Sequence, residues 1–204
     1  MEIESGEPLI AQHIDDDTRR ILDWLGTEGF LESSVTPDVA VDRNNHRASV
    51  VFSIDEGPMV RTGEIDLSGM QRVRSRAVRR ELRIEEDEIL TTDDIRESVR
   101  RLYRTGLFSY VKLKVHEEDT AGGGAEALDT TSVQRGVSVE VTETEFTELE
   151  AGVGYSTYDM IRSSMGVSYN NLFGLGKKVK LFGKISFIEQ KIEAGFTDRW
   201  FLAI

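Results

Sequence analysis

At 204 residues, with a net charge of −12 and no cysteine, the chain has room for two small domains and part of a third, and it excludes disulfide and thiol chemistry. The acidity lies in the first 146 residues, because 147–204 hold seven basic and six acidic side chains; a module so acidic argues against general nucleic-acid binding. No segment approaches the ~20 consecutive apolar residues of a transmembrane helix.

The opening run, Met1-Glu2-Ile3-Glu4-Ser5-Gly6-Glu7, lacks the basic start and apolar stretch of a secretory leader. From Asp16 to Phe30 the spacing predicts a helix, with Ile21, Leu22 and Leu25 on one face and Gly29 as a left-handed stop. Asp15-Asp16-Asp17 reads either as a cation site or as the cap of this helix, and capping is the favoured reading. Two strands come next, Pro37–Asp42 and His46–Ile54, joined by a turn at Arg43-Asn44-Asn45.

A second copy of the pattern begins with a strand at Val60–Leu67, closed by Ser68-Gly69. Next come a short basic helix at Ser75–Leu82, an acidic turn at Ile84–Ile89, and Leu90-Thr91-Thr92 with Thr92 as N-cap. The helix from Asp93 presents Ile95, Val99 and Leu102 on one face and leaves through Gly106-Leu107-Phe108. It starts 77 residues after Asp16 and repeats the acidic start, apolar face and Gly-aromatic exit of the first helix. Strands at Ser109–Val115 and Gly136–Thr142 close this copy, separated by a Gly-rich acidic loop from Glu117 to Gln134 that is expected to be mobile. The order is β-α-α-β-β, and in the first copy Glu7–Ile10 is the remnant of the matching early elements.

From Thr147 the period changes to two. Leu149, Ala151, Val153 and Tyr155 alternate with Glu150, Gly152, Gly154 and Ser156; Met165, Val167 and Tyr169 alternate with Ser164, Gly166, Ser168 and Asn170. Val179, Leu181, Gly183, Ile185 and Phe187 form a third such series, and Ile192, Ala194 and Phe196 a fourth. Successive hairpins with one apolar and one wet face are the dyad signal of a transmembrane β-barrel, whose short spanning strands need no apolar helix. Four strands cannot close a barrel, since about eight is the smallest number. With the missing leader, this predicts an internal piece of a longer, exported protein.

Several runs in this order carry a resemblance. Glu56-Gly57-Pro58, Gly63-Glu64-Ile65, Gly69, Leu90 through Phe108 and Val111 resemble a POTRA domain of the Omp85 superfamily. Gly152-Val153-Gly154-Tyr155-Ser156 and Asn170-Asn171-Leu172-Phe173-Gly174-Leu175-Gly176 resemble the opening strands of the Omp85 barrel. Asp198-Arg199-Trp200-Phe201 resembles the family's Asp-Pro-Trp-Phe turn, with Arg199 where proline is usual. The resemblance covers nearly the whole chain. It implies α+β POTRA repeats at 1–57 (truncated at its start) and 58–146, succeeded at 147–204 by antiparallel transmembrane strands of an incomplete β-barrel.

The resemblance also implies a function: assembly and insertion of β-barrel proteins into the outer membrane, with the POTRA domains in the periplasm. The implied partners are unfolded outer-membrane clients, accessory assembly lipoproteins and outer-membrane lipid, with no nucleic acid, no cofactor and no enzymatic activity. A TamA-like factor for autotransporters and a two-partner-secretion transporter share the fold and stay open as alternatives. A soluble periplasmic adaptor ending in a small sheet is a different class of answer. A reading frame continuing through about twelve further alternating strands would exclude it.

Catalysis has little support. His13, His46 and His116 stand in unrelated contexts without metal-ligand spacing, and no nucleophile is paired with a base. Gly174-Leu175-Gly176-Lys177-Lys178 suggests a phosphate loop only superficially, since it lacks the Walker spacing and precedes a strand; it reads as a hairpin turn. Two strand edges are the better candidates.

In the POTRA fold the second strand lies on the sheet edge, which the resemblance places at Ser109–Val115. Tyr110, Lys112 and Lys114 would face one way and Val111, Leu113 and Val115 the other, offering unpaired backbone groups to an extended client. Lys112 and Lys114 serve equally well as gatekeepers against sticking. The first barrel strand, Glu148–Thr157, is the second candidate: Leu149, Glu150, Ala151, Gly152, Val153, Gly154 and Tyr155 would form the seam at which a client strand can template. Gly152 and Gly154 weaken such a strand, or else merely relieve crowding in a curved sheet. Tyr155, Tyr158, Tyr169, Phe173, Trp200 and Phe201 read either as part of an interfacial girdle or as ordinary sheet packing.

Four strands with two open edges and an apolar face should make the chain aggregate or depend on detergent. Size-exclusion chromatography and amide exchange test this. Monomeric behaviour in detergent-free buffer, with protected amides beyond residue 147, would overturn the expectation.

Overall fold

The computed structural model describes residues 3, 6, 8–116, 132–158 and 160–200. The elements are α1 (Ala11–Thr27), β1 (Ser34–Asp42), β2 (Arg47–Asp55), β3 (Met59–Ser68), α2 (Ser75–Arg79), α3 (Thr92–Arg104), β4 (Phe108–Val115), β5 (Ser132–Glu143), β6 (Thr147–Ser156), β7 (Met160–Leu172), β8 (Lys177–Ser186) and β9 (Gln190–Thr197). They form three sheets: β1-β2, β3-β5-β4 and β6-β7-β8-β9. The chain packs as two compact units, Met1–Asp66 with Arg83–Ser98 and Leu113–Ser138, and Leu67–Leu82 with Val99–Lys112 and Val139–Ile204.

In the first unit, α1 begins earlier than the acidic run suggested. Its N-cap is Ile10, without a side-chain cap bond, so Asp15, Asp16 and Asp17 do not cap it. The upstream residues Ala11 to Ile14 contain no breaker, and the helix simply extends through them. Asp17 is instead buried nearly two turns in, where its carboxylate accepts the Ile3 N–H at 3.0 Å and faces Arg20 at 3.5 Å. The far end behaves as expected. Gly29 has φ +97° and the Phe30 N–H returns to Leu25 O, which terminates the helix.

That stop also positions the strand of the second copy. The Val60 N–H donates to Gly29 O at 2.9 Å, and a Cβ on Gly29 would strike Ile89 Cγ2 at 2.5 Å. β1 and β2 pair with Val35 opposite Ile54, Pro37 opposite Phe52 and Val39 opposite Val50, one apolar face of a hairpin whose turn is held by Asp42. Its carboxylate accepts from the Asn45 side chain and from the Asn45 and Asn44 backbone, which holds its pKa low.

The N-cap of α3 is one residue upstream of the expected Thr92. Thr91 Oγ1 accepts the Asp94 N–H at 3.1 Å and donates to Asp94 Oδ2 at 2.6 Å, a reciprocal cap. Ser98, fully buried, donates to Asp94 O and accepts the Arg83 N–H. Gly106, at φ +70°, ends α3 as Gly29 ends α1. β5 starts at Ser132, so the expected loop loses residues 132–134 to the strand, and its residues 117–131 lie outside the described residues.

In the second unit the core is Val73, Ala77, Val78, Leu102, Leu107, Phe108, Val111, Val139, Val141 and Phe146. The loop between β3 and α2 is organised by Glu143, at the end of β5. One carboxylate oxygen, Oε1, accepts the N–H groups of Gln71, Arg72 and Val73 at 2.8, 2.8 and 2.7 Å, while Arg72 Nε lies 3.7 Å from Oε2. Burial pushes the Glu143 pKa up, but those three bonds and the Arg72 charge outweigh it and the net shift is downward from 4.5.

β6 to β9 form a consecutive antiparallel meander. Leu149, Val167, Leu181 and Ala194 are in line across it, as are Ala151, Met165, Gly183 and Ile192; Glu148, Ser168, Lys180 and Gly195 are in line on the other face. The alternation seen in the sequence is therefore a sheet with one apolar and one polar face. The glycine-lysine run of residues 174–178 is the β7–β8 turn, with Phe173, Gly174 and Gly176 at positive φ.

Glu143→Gln keeps the acceptor's shape and removes its charge, so a loss of about 2 kcal/mol is expected, read as faster exchange of the Gln71, Arg72 and Val73 amides. Because the folded carboxyl is depressed, its stabilisation is full above the ordinary value of 4.5 and is lost as pH falls through the lower folded value. Those three amides should stay protected down to the ordinary value of 4.5 and open progressively as pH falls below it, a step that Glu143→Gln abolishes.

Candidate functional site: two open strand edges and a junction

β4 lies on the edge of its sheet. Tyr110, Lys112 and Lys114 are exposed, while Val111 is buried and Leu113 and Val115 are half-buried, as the alternation predicted. The His116 N–H donates to Gly136 O on β5. With a two-residue period, Lys114 and Lys112 also direct their backbone groups to β5, and Val111, Leu113 and Val115 direct theirs to the open side. Nearer the strand's start the alternation slips, with Ser109 and Tyr110 both exposed between buried Phe108 and Val111. One open-side donor is already engaged: the Val111 N–H donates to Tyr103 Oη at 3.0 Å.

β6 is likewise an edge, paired only to β7. Leu149, Val153 and Tyr155 are 75%, 88% and 71% exposed, so its apolar face is bare. Glu150, Gly152 and Gly154 lie on the polar face, with Ala151 on the apolar one. A Cβ on Gly152 would come 2.9 Å from Ser164 Oγ, and one on Gly154 2.9 Å from Arg162 Nε. Ser164 Oγ is the tip of a short side chain that can rotate, so crowding is a weak reason for Gly152, whereas Gly154 lies against the stem of Arg162, Cγ included at 3.4 Å, where a methyl group would be crowded.

On that polar face Lys178 lies 3.6 Å from Glu148, Lys180 3.7 Å from Glu150, and Lys184 2.8 Å from Glu189. On the apolar face Met165, Leu181 and Ile192 are 68%, 52% and 83% exposed.

Within the second unit, the turn between β7 and β8 and the segment after β9 dock on α2 and its surroundings. The Arg80 guanidinium stacks 3.3 Å from the Trp200 ring centre and donates to Leu175 O at 2.7 Å. Trp200 Nε1–H donates to Glu81 at 2.6 Å, and Arg101 lies 3.5 Å from the same carboxylate, which is buried. Lys177 pairs with Asp198 at 2.9 Å, and Arg199 donates to Arg104 O at 2.5 Å. Burial lowers the Arg80 pKa, opposed by Glu81 and Asp198; Lys177 and then the Trp200 N–H hold Asp198 low. On the loop side, Asn171 donates to Arg72 O, Arg74 N–H donates to Gly174 O, and Arg72 lies over the Phe146 ring at 4.7 Å.

These contacts divide the expected aromatic group. Tyr155, Tyr158 and Phe173 are exposed, Tyr169 packs edge-on against Phe146 at 6.3 Å, and Trp200 is engaged by Arg80 and Glu81. Phe201 lies outside the described residues. Sequence reasoning missed Tyr103, Glu143, Arg80 and Glu81, whose partners are distant in the chain; only the Asp-Arg-Trp run hinted at the last two. Among the described residues no three His, Cys, Asp or Glu side chains gather as a metal site, and His13, His46 and His116 belong to no such group.

An α-β-β unit, a β-α-α-β-β module and an amphipathic meander define the class. The chain belongs to the POTRA family, the surface antigen variable number repeat, whose sequence pattern matches residues 1–57 and 60–144. Within the Omp85 superfamily its likeness is to BamA. It is 26% identical over 179 residues to the outer membrane protein assembly factor BamA of Neisseria meningitidis serogroup B, covering 88% of this chain and 21% of that protein. BamA of Nitratidesulfovibrio vulgaris is 26% identical over 182 residues, covering 89% of this chain and 22% of the relative. The chain thus spans about a fifth of the length of these curated relatives.

Two solved structures share the fold. The crystal structure of Haemophilus ducreyi BamA lacking POTRA domains 1–3 has a TM-score of 0.83 at 20% identity and covers 98% of this chain and 36% of its own. Haemophilus influenzae BamA POTRA3–5 has a TM-score of 0.57 at 19% identity, covering 69% of this chain and 52% of its own.

Trp200→Ala should loosen the docked turn. The Arg74 and Gly176 amides, which donate to Gly174 O and Asn171 Oδ1, are expected to exchange roughly tenfold faster or more, as loss of a stacked, desolvated cation–π pair and a charge-assisted hydrogen bond would give. Trp200→Phe, which keeps a ring for Arg80, should show a smaller change.

Proposed function

We propose that the parent of this chain assembles and inserts β-barrel proteins into the outer membrane. Residues 1–57 and 58–146 act as periplasmic POTRA modules, and 147–204 as the first strands of a transmembrane barrel. The carrying observation is the meander, a polar face laced with ion pairs backed by an apolar face left bare. In water such a face costs free energy; against lipid it is the surface a barrel needs. Strands of 8 to 13 residues match the ~10-residue tilted strands that cross a bilayer.

No cofactor or nucleotide is needed. A client gains free energy by burying its apolar face in lipid and closing its backbone hydrogen bonds, because unpaired backbone groups cost several kcal/mol each in hydrocarbon. The protein's part is kinetic. The open side of β4, at Tyr110 to Val115, would hold extended clients by backbone pairing. The β6 edge would be the seam: Gly152 and Gly154 weaken it, so it opens readily, and pairing with a client strand offsets the opening. Accessory lipoproteins and outer-membrane lipid complete the set of partners. The 204-residue chain alone should not support insertion.

Depleting the full-length parent in its host and quantifying the outer-membrane proteome tests the reading. A broad loss of barrel proteins is expected. Loss of a single exported protein, or of autotransporters alone, would replace general assembly with a dedicated transporter or a TamA-like role.

A further inference from the structure

We infer that Tyr103 is a stopper on the β4 edge, a side chain that occupies one of the three open-side backbone donors and must be displaced before a client strand can pair along the whole strand. The inference rests on the proposed use of that edge. Among the described residues, the one side chain that engages an open-side N–H of Val111, Leu113 or Val115 is Tyr103, whose phenol oxygen accepts from Val111 at 3.0 Å. Tyr103 stands in the last turn of α3, eight residues before Val111, and is 42% exposed. An exposed tyrosine has room to leave for another rotamer.

The geometry has a direct consequence for pairing. An added strand takes the open-side donors of every second residue and brings a carbonyl oxygen to about 2.9 Å of each. At Val111 that position is filled by the phenol oxygen. A client therefore engages Leu113 and Val115 first and gains the Val111 bond only when the phenol swings out. The rotation exchanges one hydrogen bond for another and returns the phenol to water, so the barrier is small. A short contact is resisted, while a client extended enough to reach all three residues displaces the ring. The same stopper makes the bare edge a poorer template for a second copy of this chain, a task otherwise left to Lys112 and Lys114.

Tyr103→Phe removes the hydroxyl and leaves the ring. The test uses the full chain in detergent, nuclear magnetic resonance exchange at each amide, and a capped decapeptide of alternating Thr and Val as probe. Unchanged protection at Leu102 and Val137 confirms that the variant is folded. In the free variant the Val111 amide should exchange roughly fivefold faster, as the loss of a hydrogen bond of ordinary net strength gives. With peptide, Leu113 and Val115 should respond before Val111 in the wild type and together with it in the variant, which should bind roughly fivefold tighter.

If Val111 exchange and peptide affinity are the same in both proteins while Leu113 and Val115 respond, the stopper is overturned and the edge reading stands. If the peptide perturbs neither Leu113 nor Val115 in either protein, the edge reading falls, and the stopper with it.

Discussion

Three consecutive backbone N–H groups, at Gln71, Arg72 and Val73, converge on a single carboxylate oxygen of Glu143. The surroundings depend on this nest. It fixes the loop that leads into α2, and that loop presents Arg72 O to Asn171, the Arg74 N–H to Gly174 O and the Arg72 guanidinium to Phe146. Three hydrogen bonds to one charged oxygen, the one from buried Val73 included, let charge and geometry at a single residue decide the course of a whole turn. Close by, Gly69 at φ +85° lies so near Val141 O that any side chain there would collide with the strand carrying Glu143. Backbone and carboxylate are fitted to each other from both sides.

The parts of the molecule legible in the sequence were those governed by local periodicity. The alternation from Leu149 to Phe196 identified β6 to β9 and their faces, because one face of every strand repeats at two residues whatever lies beyond. The helix stops at Gly29 and Gly106 were legible because a left-handed residue next to an apolar one has few other uses. The placement of α1 was less so, since Asp15 to Asp17 resemble a start signal but fall inside a helix that nothing upstream interrupts. The cap of α3 was displaced by one residue because Thr91 and Thr92 carry the same hydroxyl, and only the bond to Asp94 separates them.

The features concealed in the sequence depend on long-range partners. Glu143 reads as one more charge in an acidic stretch, and its partners are 70 to 72 residues away. Trp200 reads either as a membrane-interface aromatic or as ordinary sheet packing, and neither reading points to the indole's bond to Glu81 or to Arg80 on its face. Tyr103 is not among the residues that mark the apolar face of its helix, and its sequence neighbours give it no role. Its role emerges only from the return of the chain as β4, which brings an edge amide within reach of its hydroxyl.

The two helix exits share one further property. The C-terminal turn of a helix leaves carbonyls unpaired and carries partial negative charge. At the end of α1 the acceptor Gly29 O is taken by the N–H of Val60, the second residue of the next module's first strand; at the end of α3, Arg104 O is taken by the guanidinium of Arg199, after β9. The last carbonyl of α3, and the carbonyl two residues past the end of α1, each serve as a socket filled from a later part of the chain. Modules coupled in this way form a chain of plugs and sockets. Such a chain can lengthen by duplication at its front without any change to the last link, where an arginine replaces a backbone amide and the successor changes from another α+β module to a sheet.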